Sequence, residues 1–345
     1  MNHPLLFQED VHLINSNINI DWNKLKNKTI FLTGATGLIG STLVKTLFHA
    51  NKTKNLHIHI IALVRNKARA EEKFAEFMSS GVLSMVEGSV ESIPELPSEI
   101  HYIIHGASQT SSKAFVTNPV ETLQTALYGT SNLLNLAQQK KVLGFIFLSS
   151  MEVYGYPIKG HRVIEADMGA LTPLNPRNSY PIGKIACESL CVSYAKEYNI
   201  PCKIIRLTQT FGPGVNYDDG RIFAYFARCV KEKKNIVLKT LGETERSYLY
   251  TVDAALAILT VLLDGEVGKA YNAADEESYC SISEMASKIA SAYGVTVEYN
   301  LENLESTGFA DTLYMNLDTS ALKALGWKPM CKGVLSMFRM MMKDF

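Results

Sequence analysis

The sequence predicts an α/β protein, a doubly wound parallel sheet with a smaller C-terminal lobe. Three observations carry this. Short apolar, β-branched runs alternate with stretches of helical spacing from Lys28 to Thr210. The runs suit strands buried on both faces. A glycine-spaced turn, "TGATGLIG" (33–40), stands between the first run and the first helix.

The elements follow in order. Residues 1–27 read as a polar arm with a short amphipathic piece. "TIFLTG" (29–34) is a strand ending in glycine, and "GSTLVKTLFHA" (40–50) has apolar residues at helical spacing. "LHIHIIALV" (56–64) reads as a strand and "KARAEEKFAEFMS" (67–79) as a helix. "VLSMVEG" (82–88) and "HYIIHGA" (101–107) are further strands. "PVETLQTALYGTSNLLNLAQQKK" (119–141) reads as one long helix. "LGFIFLSS" (143–150) and "CKIIRLTQT" (202–210) are strands on either side of the helix "SYPIGKIACESLCVSYAKEY" (179–198). Such alternation implies parallel strands joined by right-handed crossovers. After Phe211 the rhythm loosens into the turn-rich "FGPGVNYDDGR" (211–221). The expectation is a doubly wound domain over 28–210, rejoined at about 248–273, with 211–345 mainly forming the smaller lobe.

A chain of 345 residues, 47% hydrophobic and 20% charged, has ordinary globular composition. Lys+Arg and Asp+Glu are both 34, so no global charge argues for nucleic acid or an anionic membrane. Six scattered cysteines, Cys187, Cys191, Cys202, Cys229, Cys280 and Cys331, form no CxxC pair and read as reduced thiols rather than metal ligands. No signal peptide pattern and no membrane-spanning apolar run are found, so a cytoplasmic location is expected.

The glycine turn points to a ligand. Gly34, Gly37 and Gly40 are spaced by three, and the turn Gly34, Thr36, Gly37, Leu38, Ile39, Gly40 would let a helix N-terminus face a pyrophosphate. Alone this is plain turn chemistry; between a strand and a helix it predicts a dinucleotide. The next strand ends "ALVRNKAR", with Arg65 where an acid would bind ribose hydroxyls. Arginine suits a 2′-phosphate, so NADP(H) is favoured and NAD(H) remains open. Ser89 is an adenine-side candidate.

"YPIGK" (180–184) places Tyr180 and Lys184 one helical turn apart, pointing the same way. A free tyrosine titrates near ~10, and a neighbouring ammonium is expected to lower that value. Ser150, at a strand end, can hydrogen-bond the same substrate oxygen.

With these motifs in this order, the sequence resembles an extended short-chain dehydrogenase/reductase of the NAD(P)-dependent nucleotide-sugar epimerase/dehydratase kind. The resemblance covers about 28–335. It rests on "TGATGLIG", "HGAS" (105–108), "SSMEVYG" (149–155), "YPIGK", "RLTQTFGPG" (206–214), "RSYLYTVD" (246–253) and "AYNAADEESYCSISEMA" (270–286). It implies a Rossmann-type domain and a C-terminal substrate-binding lobe. It implies a catalytic set of Ser150, Tyr180 and Lys184, and cofactor contacts at Gly106, Ala107 and Ser108. Substrate contacts are implied at Ser108, Met151, Glu152, Thr210 and Arg246, with Arg221 a second candidate for the diphosphate. It also implies a homodimer built on the helices 119–141 and 179–198.

Departures from the family pattern narrow the expected reaction. Met151 stands where dehydratases carry a proton-donating aspartate, while Glu152 keeps the second carboxylate. The segment 305–318 lacks the arginine of family decarboxylases, and Ala126 replaces a usual asparagine. Thr208, Gln209 and Thr210 replace an asparagine-bearing run. With Arg65, these departures favour an NAD(P)H-dependent reductase acting on a nucleotide-linked keto sugar or ketose, for instance a cytidine-diphosphate-linked ketose reduced to an alditol. In it Tyr180 protonates the oxygen, Ser150 polarises it, Lys184 orients the ribose and Glu152 holds substrate hydroxyls. The second expectation is an epimerase or dehydratase with tightly bound NAD acting by transient oxidation.

Overall fold

The computed structural model describes residues 6–17, 19–78, 80–97, 99–109, 112–301 and 312–345. Its strands are β1 (Thr29–Thr33), β2 (His59–Val64), β3 (Leu83–Glu87), β4 (Tyr102–His105), β5 (Gly144–Ser150), β6 (Arg162–Val163) and β7 (Cys202–Leu207). They continue with β8 (Gln209–Phe211), β9 (Ile236–Leu238), β10 (Glu245–Tyr250), β11 (Ala270–Ala273), β12 (Asp275–Ser281), β13 (Val297–Tyr299) and β14 (Tyr314–Leu317). Seven form one sheet in the order β11-β7-β5-β4-β1-β2-β3. Every neighbouring pair in it is parallel.

Alternation along each strand divides the apolar residues between two cores. Ile30, Leu32, Ile60, Ala62, Ile104, Ile146 and Leu148 face one side, with helices Leu38–Lys54 and Thr251–Asp264. Phe31, Ile61, Leu63, Ile103, Phe145 and Phe147 face the other, with helices Pro119–Lys140 and Ser179–Tyr198. Residues Thr251 to Leu262 are all buried, which explains why that helix shows no polar face.

Three expectations shift. The N-terminal segment is no free arm: Ile14, Ile20, Trp22 and Leu25 are buried, and the Tyr250 hydroxyl donates to Asp10 Oδ1 at 2.6 Å. The helix read over 67–79 is two, Lys67–Lys73 and Ala75–Met78, because fully buried Phe74 (φ −114°) turns the chain into the core. The strand read over 202–210 is also two. At Thr208 the chain leaves the parallel sheet and β8 pairs with β10 in a second sheet, ordered β12-β10-β14-β6. Thr208 N donates to Ala273 O at 3.2 Å and its hydroxyl to Ser247 O at 2.6 Å, fastening the crossing to both sheets.

Asp253 holds the C-terminal segment, accepting from Met330 N at 3.1 Å and Cys331 N at 2.9 Å. Burial raises its carboxyl to about 7, against two backbone donors that lower it. An unfolded aspartate loses its proton near ~3.9. The folded state therefore binds more protons between these values. The stability this contributes is present below the unfolded value and is lost as pH rises through about 7. Asp253→Asn, which cannot ionise, is expected to flatten the fall in melting temperature between pH ~4 and ~8 relative to the native chain, read by thermal melts across that range.

Among the described residues no helix is long and apolar enough to cross a membrane, and no cluster of His, Cys, Asp and Glu is placed to hold a metal.

Candidate active site

The sequence places a turn where three pieces of backbone must nearly touch. Gly34 has φ +76°, and a Cβ there would lie 2.7 Å from Gly106 C. A Cβ on Gly40 would lie 2.1 Å from Gly34 O. Gly37 is the N-cap of helix Leu38–Lys54. The glycines thus let β1, β4 and the helix start close on one another, with the positive end of the helix facing a cavity of about 880 Å³. This cradle fits a dinucleotide diphosphate.

Beneath it, Ala107 N donates to Thr33 Oγ1 at 3.1 Å. Thr33 Oγ1 also lies 3.0 Å from His105 Nδ1, and His105 Nε2 lies 3.1 Å from Thr130 Oγ1. Burial drives the His105 ring down to about 3, with the Lys184 charge adding to it, so the imidazole is a neutral strut.

One wall of the cavity carries Gly34, Thr36, Gly37, Leu38, Ile39 and Gly40, with Gly106, Ala107 and Ser108 beside them. Its outer end carries Arg65 and Ser89, joined by Arg69 of the same basic run and by Asn66 and Lys73, which the sequence does not single out. Asn66 is spent on capping, accepting from Arg69 N at 2.9 Å. Lys73 Nζ donates to Thr36 O at 2.8 Å. Its ammonium is lowered by partial burial and by the charges of Lys45 and Arg69.

The inner end gathers Ser150, Met151, Glu152, Tyr180, Lys184 and Thr210. Ser150 Oγ accepts from Glu152 N at 3.2 Å, which closes the turn after β5. Met151 is 4% exposed and its sulfur lies 3.2 Å from the Thr208 hydroxyl oxygen. It packs with Val153 and Tyr154 and so spaces Ser150 from Glu152. Ser149 is separate: its hydroxyl donates to Glu188 Oε1 at 2.6 Å, within a cluster completed by Arg206.

The phenol of Tyr180 departs from expectation. Burial pushes it above its usual value and the Glu152 carboxylate adds to this, while a hydrogen bond with Ser150 opposes. Lys184 does not lower it here, because its Nζ donates to Leu148 O at 2.7 Å and lies 5.7 Å from the Tyr180 ring centroid. Burial in turn brings the Lys184 ammonium down to about 8.

Arg221 lines the cavity already paired, its Nη2 2.6 Å from Asp219 Oδ2. Arg246 is not among the residues that line this cavity. Its Nε is buried and has no partner, and its charge lowers the Glu152 carboxyl that burial raises. Two residues escaped the sequence reading. Phe115 stacks on Tyr180 with ring centroids 4.4 Å apart, and Arg177 Nη1 lies 3.6 Å from Glu152 Oε2. Arg177 was within reach, standing three residues before Tyr180; Phe115 carries no local signal.

The family model for the NAD dependent epimerase/dehydratase family matches residues 30–274, most of the chain and both ends of this cavity. The chain belongs to that family. UDP-glucuronic acid decarboxylase 6 of Arabidopsis thaliana is 28% identical over 308 residues, 89% of this chain and 85% of the relative. UDP-glucuronic acid decarboxylase 1 of Xenopus tropicalis is 29% identical over 269 residues, 77% of this chain and 61% of the relative. Among solved structures, a mutant of UDP-glucuronic acid 4-epimerase from Bacillus cereus, bound to NAD and UDP-4-deoxy-4-fluoro-glucuronic acid, superposes with TM-score 0.77 at 20% identity. It covers 92% of this chain and 98% of that one, a likeness of fold. As a member of the epimerase/dehydratase family, the protein is an NAD(P)-dependent enzyme on a Rossmann-type sheet.

Proposed function

We propose that the protein acts on a nucleotide-linked sugar by transient oxidation and re-reduction within one turnover, retaining its dinucleotide. The observation that carries this is the convergence of Ser150, Glu152, Tyr180 and Lys184 on the cavity that also holds the glycine turn. A nicotinamide dinucleotide, when bound, supplies the hydride acceptor and donor. Tyr180 takes the proton of the sugar hydroxyl, Ser150 hydrogen-bonds the same oxygen, and Lys184 holds the nicotinamide ribose. Glu152, its carboxyl raised by burial, is a second acid–base group beside the reacting carbon. Net reduction of a keto group does not require that second group, and the named decarboxylases and 4-epimerase do not support it. The net-reductase expectation, including a ketose-to-alditol reaction, therefore gives way to transient oxidation.

The inner wall of Thr210, with Arg246 behind Glu152, and the diphosphate arm of Arg221 form the substrate side of this reading. The seven-stranded sheet is the dinucleotide half, and the sheet of β10, β12 and β14 the substrate half. The arginine that a uronic acid would need is absent from 305–318, of which 305–311 lies outside the described residues. A uronic acid remains the substrate class favoured by the named relatives.

For the cofactor, Arg65, Arg69 and Lys73 favour a 2′-phosphate, hence NADP(H), although the solved 4-epimerase is bound to NAD. A homodimer on helices Pro119–Lys140 and Ser179–Tyr198 is supported by exposed Val120, Tyr128, Val192 and Tyr198. One experiment tests these points. The protein is gel-filtered with light scattering, its dinucleotide is released by denaturation and identified, and nucleotide sugars are added to a native sample while reduced-nicotinamide absorbance is followed. Retained dinucleotide and a transient absorbance supports the proposal. Net consumption of added reduced cofactor with none retained would overturn it. Released NAD without NADP overturns the phosphate preference, and a monomer overturns the dimer.

A further inference from the structure

Arg177 has no role in the scheme above. It rides on the turn Pro176–Asn178, directly ahead of the helix that carries Tyr180. Asn175 fixes that turn, its Oδ1 accepting from Arg177 N at 3.0 Å. The guanidinium carbon lies 5.0 Å from the Phe115 ring centroid, and the other partner of that ring is Tyr180, stacked nearly parallel at 8°. Its Nη1 is 3.6 Å from Glu152 Oε2. One guanidinium therefore touches the carboxylate and, through one ring, the phenol.

We propose that Arg177 is a positioning residue that keeps Glu152 ionised and aimed into the cavity, where its carboxylate accepts a substrate hydrogen bond. The proposal rests on Tyr180 taking the substrate proton.

The charges around these groups support it. Glu152 is faced by Arg177 from the turn, by Arg246 from β10, and by Ser150 and Tyr180. Burial raises its carboxyl; Arg177 opposes most and Arg246 next. Tyr180 is faced by Glu152, Ser150, Phe115 and, more distantly, Lys184. The Glu152 carboxylate is the charge that disfavours phenolate. A guanidinium over an aromatic face is held in place with little freedom to lose. The Arg177 and Glu152 side chains are still 33% and 31% exposed, so the pair adds little to folding stability. Its effect is on the charge of the cavity. Without Arg177, Glu152 takes a proton more readily and ceases to accept a substrate hydrogen bond.

The test is the rate of cofactor reduction by a bound nucleotide sugar, across pH, in the native enzyme, Arg177→Met, Arg177→Lys, Glu152→Gln and Arg177→Met with Glu152→Gln. Arg177→Met is expected to slow the acid end about tenfold and leave the alkaline end unchanged, since an opposite charge at this range moves a carboxyl by about a unit or more. Arg177→Lys restores most of the acid-side rate. In the Glu152→Gln background, Arg177→Met changes nothing further. A loss equal at every pH, or the same loss in the Glu152→Gln background, overturns the proposal. Thermal melts accompany each variant. If Arg177→Met does not fold, the proposal predicts that Arg177→Lys keeps the native pH profile, and a pH-independent loss in Arg177→Lys counts against it. A native enzyme that never reduces its cofactor is the failure of the transient-oxidation reading; a native enzyme that does so, with a profile indifferent to Arg177, is the failure of this one.

Discussion

Tyr180→Phe is expected to slow reduction of the bound dinucleotide by a nucleotide sugar about 10³-fold, the scale of a positioned acid–base group. Dinucleotide retention and melting temperature should stay native, because the ring and its 4.4 Å stack on Phe115 survive the substitution. The pH dependence carries the second half of the prediction. Burial and Glu152 hold the phenol above its usual value, so little phenolate exists at neutral pH. The native rate should therefore climb with pH through the neutral range, and Tyr180→Phe should lose that climb as well as the rate. The measurement is single-turnover absorbance at several pH values. A Tyr180→Phe enzyme with native turnover would sink the shared chemistry of the site.

Gly40→Ala should be the most damaging single methyl group in the molecule's cofactor cradle. The added Cβ would meet Gly34 O at 2.1 Å and Ala35 Cα at 2.8 Å, both backbone atoms that no side-chain rotation can move. Relief requires helix Leu38–Lys54 to lift off β1, which opens the core formed by Leu43, Leu47 and Ile30. The expected cost is on the order of 3 kcal/mol or more. Melting temperature should fall and the dinucleotide should no longer be retained. The control is Gly81→Ala: Gly81 has nothing within 4 Å, so its cost comes from φ +69° alone and should leave dinucleotide retention native. Equal dinucleotide retention by Gly40→Ala and the native chain would refute the account.

What could be read from the sequence follows the range of the interactions. The glycine turn and the Tyr180–Lys184 pair are local, so spacing alone places them. The alternating strands are legible because every apolar residue of β1, β2, β4 and β5 meets one of two cores. The break at Thr208 is not, because β-branched Thr208 and Thr210 continue the strand-like run of β7 into β8 across the change of sheet. The docking of the N-terminal segment is not legible either, because its buried Ile14, Ile20, Trp22 and Leu25 are diluted by polar neighbours. The acidity of Tyr180 is hidden from the sequence for a different reason. Sequence shows Lys184 one turn away, but the charge that matters is Glu152, brought in from another element, while Lys184 is bound to Leu148 O.

The crossing at Thr208 also limits how the molecule can move. Many two-lobed enzymes close on substrate by bending a hinge of several free residues. Here the passage from β7 to β8 is one residue long, and that residue is hydrogen-bonded to Ala273 on one side and Ser247 on the other. The two sheets are riveted at the floor of the site. Closure on substrate would then fall to side chains and rim loops rather than to bending at this crossing.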